Sequence, residues 1–369
     1  MSLRSANIVG ARPNFMKIAP IHRLMKEDSA FDPVLIHTGQ HYDRNMSEAF
    51  FRDLGLPEPD RYLGVGSGTQ SQQTARLLIA IEKSLLEIKP DLVVVVGDVN
   101  STLAGALVAA KLRIPLAHVE AGLRSFDRSM PEEVNRVVTD RLSDFLFVTE
   151  ESGVKNLKNE GVPESSIHFV GNVMIDSLVR FMDRIKDRPA PAEFTPFLNR
   201  DFILMTLHRP SNVDDRDSLV RILDALDRLQ GLMPVVFPAH PRTRKNIESF
   251  GLKDRISRMK GLFILDPVGY IDFLRLLTRA RLVLTDSGGI QEETTFLGIP
   301  CLTLRENTER PVTITLGTNR LVPLNAESIV ENARLSMNGS KKGSIPPLWD
   351  GRAAERIVAI LKNIAYSQT

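Results

Sequence analysis

The sequence contains one cysteine, no long apolar run and almost no net charge, and each absence excludes a class of protein. Cys301 alone rules out an internal disulfide and a cysteine-built zinc site, and it fits a reducing compartment. No apolar run approaches the roughly 20 residues that cross a bilayer, and the first residues lack a signal-peptide pattern, so we predict a cytoplasmic protein without a membrane partner. A formal charge of +2, from 47 basic and 45 acidic residues, gives no global signal of nucleic-acid binding.

The length and the apolar pattern indicate two globular domains. The 369 residues are about twice the usual length of one compact domain, and 43% of them are hydrophobic, which is enough for a sizeable core. Short apolar runs such as DLVVVV alternate with helix-period segments such as residues 71–89. Strands that are buried on both faces and alternate with helices predict parallel sheets.

This alternation starts again after the proline-rich segment DRPAPAEFTP, which predicts two Rossmann-like domains. We expect residues 1–171 to form the first domain, residues 172–349 the second, and residues 350–369 a helix that returns to the first. The predicted fold class is therefore α/β, with two Rossmann-like domains and a cleft between them. Ligands of such sheets bind beyond the carboxyl ends of the strands, so the residues that follow the strands are the candidates for function.

Charged and imidazole side chains follow most of the predicted strands: Arg12, Lys17, Asp98, Glu120, His208 and His240. One aspartate at a strand end is most often a helix cap, and Asp98 alone would be explained in that way. Several such residues at topologically equivalent positions favour a binding site instead.

The segment TDSGGIQEE predicts an anion site directly after a strand. Gly288 and Gly289 allow close approach of the backbone, and a helix N-terminus offers free N–H groups and a positive dipole end. The alternative is a plain strand-to-helix turn capped by Ser287. Phosphate does not favour carboxylates one turn further on, whereas a ribose diol does, because an ionised carboxylate accepts hydrogen bonds. We assign that role to Glu293 and regard Glu292 as structural.

Motifs of metal and dinucleotide sites are missing from the sequence. No G-x-G-x-x-G follows the first strand, and H-E-x-x-H and Walker A motifs do not occur. We therefore predict neither a metal nor a redox cofactor.

Eight segments resemble the motifs of the non-hydrolysing UDP-N-acetylglucosamine 2-epimerases, in order along essentially the whole chain: GARPNFMKIAP, TGQH, VVGDVNST, HVEAGLRS, MPEEVNR, LHRPSNVD, TDSGGIQEE and TERP. The resemblance implies a GT-B-like architecture and a homodimer. It implies substrate binding by Arg12, Lys17, Asp98, Glu120, His208, Val268, Phe273, Ser287, Gly288, Gly289, Glu293 and Arg310. It implies catalysis by Asp98, Glu120, Glu132 and His208, although acids such as Glu132 are also expected at a helix start on structural grounds alone.

The reaction implied by this resemblance is the reversible conversion of UDP-N-acetylglucosamine to UDP-N-acetylmannosamine. The C2 proton is not next to a carbonyl, so we expect elimination of UDP to 2-acetamidoglucal, followed by re-addition without a redox cofactor. Carboxylates would act as acid and base in an order that the sequence leaves open. Arginines, His208 and backbone amides would stabilise the leaving diphosphate.

Departures from the family pattern keep alternatives open, since this chain has HRPSNVD where many relatives have HRREN and ERPV where many have ERPE. The alternatives are an epimerase of a diacetamido uronic acid nucleotide, a hydrolysing epimerase, a GT-B glycosyltransferase and a non-catalytic nucleotide-sugar-binding protein. The set of carboxylates argues against the glycosyltransferase. GQHYDRNM likewise departs from the QHR-type residues that bind an allosteric UDP-sugar in some bacterial members, although Gln40 and His240 are kept.

Overall fold

The structure, a computed structural model, describes residues 2–39, 58–187, 189–339 and 341–367. Gln40 lies outside the described residues, and only the backbone of Arg12 is described. The chain divides into two compact units, Met1–Val179 together with Pro347–Thr369, and Arg180–Pro346. The division after Val179 lies inside a helix, a little beyond the boundary expected after residue 171.

Among the described residues, the first unit forms a seven-stranded parallel sheet with the order β3-β2-β1-β4-β5-β6-β7. Its strands are β1 (Leu3–Val9), β2 (Phe31–His37), β3 (Arg61–Tyr62), β4 (Leu92–Val96), β5 (Leu116–Ala121), β6 (Phe145–Val148) and β7 (Ile167–Phe169). All five residues of β4 are buried, as expected of a parallel strand that is covered on both faces.

Helices connect these strands: α1 (Arg12–Glu27), α2 (Gln70–Ile88), α3 (Asn100–Leu112), α4 (Pro131–Leu142), α5 (Glu151–Asn159), α6 (Val173–Asp187) and a 3-10 turn (Glu164–Ser166). Apolar side chains of α2 and α3, including Leu77, Ile81 and Ala104, pack with Ile8 and Val95 of the sheet to form a core. The helix expected over residues 71–89 is present as α2, but its buried face differs from the expected apolar positions, since Leu85 is buried whereas Ile79 is 72% exposed.

The second unit forms a six-stranded parallel sheet within its described part, with the order β10-β9-β8-β11-β12-β13. Its strands are β8 (Ile203–Thr206), β9 (Val235–Pro238), β10 (Leu262–Leu265), β11 (Leu282–Thr285), β12 (Cys301–Thr303) and β13 (Asn319–Leu321). Its helices are α7 (Thr195–Leu198), α8 (Pro210–Val213), α9 (Arg216–Leu229), α10 (Pro241–Ser249), α11 (Lys253–Ser257), α12 (Tyr270–Leu277), α13 (Gly288–Leu297), α14 (Val312–Thr315) and α15 (Ala326–Met337), with a 3-10 turn at Ala192–Phe194.

In both sheets the strand order reverses at one strand, the topological switch point, and this point locates the candidate site in each unit. In the first sheet β1 lies between β2 and β4, and in the second sheet β8 lies between β9 and β11. This is the 3-2-1-4-5-6 order of Rossmann folds, in which the ligand crevice opens where the strand order reverses. The predicted α/β fold class with two Rossmann-like units is confirmed. None of the described helices combines the length and the hydropathy that a bilayer crossing requires.

The last helix, α16 (Ala353–Ser367), belongs to the first unit and packs against α1. The carboxylate of Asp176 in α6 accepts hydrogen bonds from the N–H groups of Ala353 (3.1 Å) and Ala354 (2.7 Å) at its N-terminus. The Lys362 ammonium lies 2.6 Å from the Asp28 carboxylate at the end of α1. The chain therefore returns to the first unit after it has completed the second.

Candidate active site

At the switch point of the first sheet, one side chain joins the ends of β1 and β4. Asn14 in the first turn of α1 accepts a hydrogen bond from the N–H of Ala11 (3.0 Å) and donates one to the carbonyl of Val96 (2.8 Å). The turn after β1 is also tight, because a Cβ built on Gly10 would lie 2.0 Å from the hydroxyl oxygen of Ser101. The turn before α1, which begins at Arg12, is thus held against the end of β4.

Glu120 occupies an unusual backbone position at the end of β5. Its φ is +75°, in the left-handed region, and the register of β5 against β6 shifts between Val119 and Ala121. A bulge of this kind redirects a side chain, and a left-handed glutamate costs conformational energy that surrounding contacts must offset. The Glu120 carboxylate forms an ion pair with the ammonium of Lys17, and their side chains are 1% and 7% exposed. Two predicted site residues are therefore brought together.

Asp98 lies just past the end of β4 and is held in place by side chains of α4. Its Oδ2 lies 2.5 Å from Nη2 of Arg136, whose side chain is buried, while the Asp98 side chain stays 24% exposed. The amide of Asn135 donates a hydrogen bond to the Asp98 carbonyl at 2.9 Å. Asp98 is thus a partly accessible carboxylate with a fixed orientation, and α4 supplies both contacts.

The two adjacent glutamates at the start of α4 have different surroundings. Glu133 is buried, accepts hydrogen bonds from the N–H groups of Ser125 and Phe126 (2.9 Å each), and pairs with Arg136. Burial raises the pKa of Glu133, but these hydrogen bonds and Arg136 outweigh it, so the pKa is lowered. Glu132 is partly exposed, and no hydrogen bond to its side chain is present within the described part of the chain. Glu133 is therefore an anchor, and Glu132 is available to a ligand.

At the switch point of the second sheet, the buried Asp286 joins the ends of β8 and β11. Its carboxylate accepts hydrogen bonds from the N–H groups of His208 (3.1 Å) and Arg209 (2.9 Å) and from the amide of Asn212 (3.1 Å). Burial raises the pKa of Asp286, but the contacts to His208 and Arg209 outweigh it and lower the pKa. The ring Nδ1 of His208 lies 3.2 Å from the same carboxylate, with the His208 side chain 47% exposed. Asp286 therefore orients the predicted site residue His208.

The turn from β11 into α13 brings Gly288 against Arg310. A Cβ built on Gly288 would lie 2.6 Å from Nη1 of Arg310 and 3.0 Å from its central carbon, so a larger residue would force the guanidinium to move. Ser287 is the N-cap of α13, and within the described residues its side chain makes no capping hydrogen bond to the helix. The predicted anion seat thus combines a helix N-terminus, a serine hydroxyl and a guanidinium.

Two buried glutamates hold that guanidinium in place. Nε of Arg310 lies 2.6 Å from Oε1 of Glu292, and Nη1 of Arg310 pairs with Glu309. Glu309 is in turn 2.9 Å from Arg305. Glu292, the first of the two carboxylates in TDSGGIQEE, therefore anchors an arginine.

Glu293 has a different partner and a different protonation behaviour. The Tyr270 hydroxyl at the start of α12 donates a hydrogen bond to Oε1 of Glu293 at 2.7 Å. Burial, with a further contribution from the Glu292 charge, raises the pKa of Glu293 to about 8 despite that hydrogen bond. Oε2 of Glu293 is buried and has no hydrogen-bond partner within the described residues. A buried acceptor without a partner is uncommon, and this keeps Glu293 a candidate for contact with a ligand.

Val268 and Phe273 flank the start of α12, near Tyr270 in sequence, and both are half-buried. Both side chains are apolar, so they add no polar group to the residues at the switch point of the second sheet. Among the described residues no group of three His, Cys, Asp or Glu side chains is arranged to hold a metal ion.

Comparisons with known proteins identify a family and relatives that match nearly the whole chain. Residues 23–362 match the family model described as UDP-N-acetylglucosamine 2-epimerase. The chain is 45% identical to the UDP-N-acetylglucosamine 2-epimerase of Methanocaldococcus jannaschii, over 96% of this chain and 97% of that protein. It is 44% identical to the UDP-2,3-diacetamido-2,3-dideoxy-D-glucuronate 2-epimerase of Pseudomonas aeruginosa, over 98% of this chain and 100% of that protein.

A solved structure of a member of the same family is similar to this chain in its three-dimensional fold. The crystal structure of the M. jannaschii UDP-GlcNAc 2-epimerase in complex with UDP-GlcNAc and UDP superposes with a TM-score of 0.91 at 44% identity, covering 98% of this chain and 100% of that one. The two parallel sheets with their switch-point clusters are those of a GT-B-like α/β enzyme. This chain belongs to the UDP-N-acetylglucosamine 2-epimerase family, and it is an isomerase, an epimerase.

Several residues that shape the clusters escaped the sequence analysis. Asp286 and Tyr270 each contact a predicted residue from a distant segment of the chain, and Asn14 joins the start of α1 to the end of β4. Asp286 carried a usable signal, because it follows a strand directly in TDSGG. Tyr270 carried none, because nothing in the sequence indicates that it meets Glu293.

Proposed function

We propose that this epimerase interconverts UDP-N-acetylglucosamine and UDP-N-acetylmannosamine by eliminating UDP to 2-acetamidoglucal and adding it back. The observation that carries the proposal is Glu120, a buried carboxylate on a left-handed bulge, paired with Lys17 at the end of β5. Asp98 follows the adjacent strand β4. Two carboxylates on neighbouring strand ends suit a reaction that removes a proton from one face of C2 and returns it to the other.

In this proposal the first unit provides the acid and base. Asp98, Glu120 and Glu132 are the proton-transfer candidates, with their individual roles unassigned. Lys17 holds the Glu120 carboxylate, and Arg12 contributes a cation to the substrate. The strained backbone of Glu120 supports a catalytic role, because such strain concentrates at functional sites.

The second unit would bind the UDP portion of the substrate. The N–H groups of Gly288 and Gly289, the Ser287 hydroxyl, Arg310 and His208 would stabilise the diphosphate as it leaves, since negative charge grows there in the transition state. Glu293 would accept the ribose hydroxyls through its unpartnered oxygen. Val268 and Phe273 would contact the uracil end of the nucleotide.

The test is incubation with UDP-N-acetylglucosamine in D2O, followed by NMR. Deuterium is expected at C2 of a pair of UDP-sugars. Unlabelled substrate without product would contradict the proposal, and free N-acetylmannosamine with UDP would indicate a hydrolysing enzyme. Glu120→Gln is expected to abolish exchange while UDP still binds, which separates this enzyme from a protein that only binds nucleotide sugars.

A second candidate substrate is a UDP-2,3-diacetamido uronic acid, favoured by the 44% identity to the P. aeruginosa epimerase of such a sugar. The same assay with both nucleotides, compared through kcat/KM, decides between them. The cytoplasmic location and the homodimer stay predictions, for which cell fractionation and light scattering are the measurements.

A further inference from the structure

A buried group of charged side chains lies behind the two carboxylates of the first unit. His118 in β5 is fully buried, with Nε2 lying 2.8 Å from the carbonyl oxygen of Gly97 and Nδ1 lying 2.6 Å from Oδ1 of Asp140. A carbonyl oxygen can only accept, so Nε2 carries a proton. Through Nδ1 the ring is hydrogen-bonded to the Asp140 carboxylate, so His118 bridges Gly97 and Asp140.

The second oxygen of Asp140 holds the chain beyond Glu120. Oδ2 accepts a hydrogen bond from the N–H of Gly122 at 3.0 Å and lies 2.7 Å from Nη1 of Arg124. Gly122 has a φ of +80°, and a Cβ there would lie 2.5 Å from the carbonyl oxygen of Gly153, so this backbone position is closely defined. Burial raises the pKa of Asp140, but His118 and Arg124 outweigh it, so the pKa is lowered and the carboxylate is ionised.

One carboxylate thus connects two neighbouring strand ends. Through His118 it holds Gly97, the residue before Asp98, and directly it holds Gly122, two residues after Glu120. The left-handed conformation of Glu120 persists only where the surroundings over-determine it. Asp140 supplies such a constraint on the carboxyl side of Glu120, and the Lys17 ion pair supplies another on its side chain.

We propose that His118 and Asp140 are positioning residues that set the spacing between the carboxylates of Asp98 and Glu120 for proton transfer at C2. This inference rests on the proposed function. Neither residue is placed to touch substrate, because both are fully buried behind the strand ends. Their effect is exerted through the backbone of Gly97 and Gly122.

Two amide substitutions at His118 separate a positioning role from simple structural support. The amide nitrogen of His118→Gln reaches the place of Nε2 and can donate to Gly97, whereas that of His118→Asn reaches only the place of Nδ1 and loses the contact to Gly97. Both variants remove the imidazole ring from the same buried site. They differ in whether the loop before Asp98 stays attached.

We expect His118→Asn to lower kcat by about 10- to 100-fold, the effect of a displacement of about 1 Å, with KM unchanged. His118→Gln is expected to restore most of kcat. Leu85→Ala, which truncates a buried side chain of α2 in the same unit and outside the network, is the control for lost stability and should leave kcat near wild type.

Equal kcat values for the two His118 variants, or a loss that appears in KM, would overturn the inference. The same holds if kcat follows thermal stability across all three variants. Asp140→Asn extends the test if a His118 variant does not fold, because asparagine keeps an oxygen that accepts from the N–H of Gly122 and an amide group that can hydrogen-bond the His118 ring. A loss of kcat as deep as that expected for His118→Asn would also overturn the inference. Failure of the proposed function is distinct, since wild-type protein would then exchange no deuterium at C2.

Discussion

At the scale of single residues, the adjacent glutamates of TDSGGIQEE show how different contacts give two identical side chains different roles. Glu292 meets Arg310 at 2.6 Å and is an anchor, while the hydrogen bond that Glu293 accepts within the described residues comes from the neutral hydroxyl of Tyr270. A carboxylate buried beside another carboxylate and without a cation favours its protonated form, which explains a pKa of about 8 for Glu293. Ligand hydroxyls would reverse this preference, because they donate to the ionised form.

From this contrast we predict that UDP binding releases a proton near pH 7. Below pH 8 the free protein holds a proton on Glu293, so affinity should rise with pH, by at most about tenfold per unit. Glu293→Gln should bind UDP without proton release and roughly 10- to 100-fold more weakly, since a hydrogen bond to a charged group is lost. Titration calorimetry at pH 7 in two buffers of different ionisation enthalpy measures the released protons. Identical heats in both buffers with wild-type protein would contradict the prediction.

At the scale of elements, the order of strands explains which part of the site could be predicted. Apolar runs and the polar residues that end them, such as Asp98 and His208, are local features of the sequence. Their partners are not local, because Asp286 meets His208 only where β8 and β11 become neighbours in the sheet. The bulge at Glu120 was equally unpredictable, since its φ of +75° depends on tertiary contacts and not on the preference of glutamate.

The turn into α13 supports a prediction that a glycine is required for packing. In Gly288→Ala the new methyl group would overlap the Arg310 guanidinium and Glu309, so the arginine must move away from the helix N-terminus. UDP affinity is expected to fall about tenfold or more, because charge-assisted hydrogen bonds to the diphosphate depend on that position. Gly231→Ala in the same unit is the matched control, since its Cβ would meet nothing closer than 3.5 Å. Equal affinities of the two variants would show that Arg310 does not need this glycine.

At the scale of the whole molecule, the two units carry buried titratable groups that change stability over different pH ranges. In the first unit, burial lowers the pKa of His22 and of His37 from 6.5 to about 4. Unfolding below pH 6.5 therefore takes up protons at these histidines, so they add stability as pH rises from 4 to 6.5. Asp176, whose pKa burial raises to about 6, opposes them below pH 6. None of these three groups changes the stability of the first unit above pH 6.5.

The second unit should therefore lose stability alone when the pH rises from 6.5 to 8. Glu293 keeps its proton in the folded state up to about pH 8, whereas an unfolded glutamate has lost it above pH 4.5. Fewer protons are then bound in the unfolded state, so the free energy of unfolding falls, by at most about 1.4 kcal/mol per pH unit. Hydrogen exchange followed by mass spectrometry reads each unit through its own peptides, and β11 and β12 should lose protection while β4 and β5 keep theirs. Glu293→Gln should remove the difference, and an equal loss in both units of the wild-type protein would assign the pH dependence to another group.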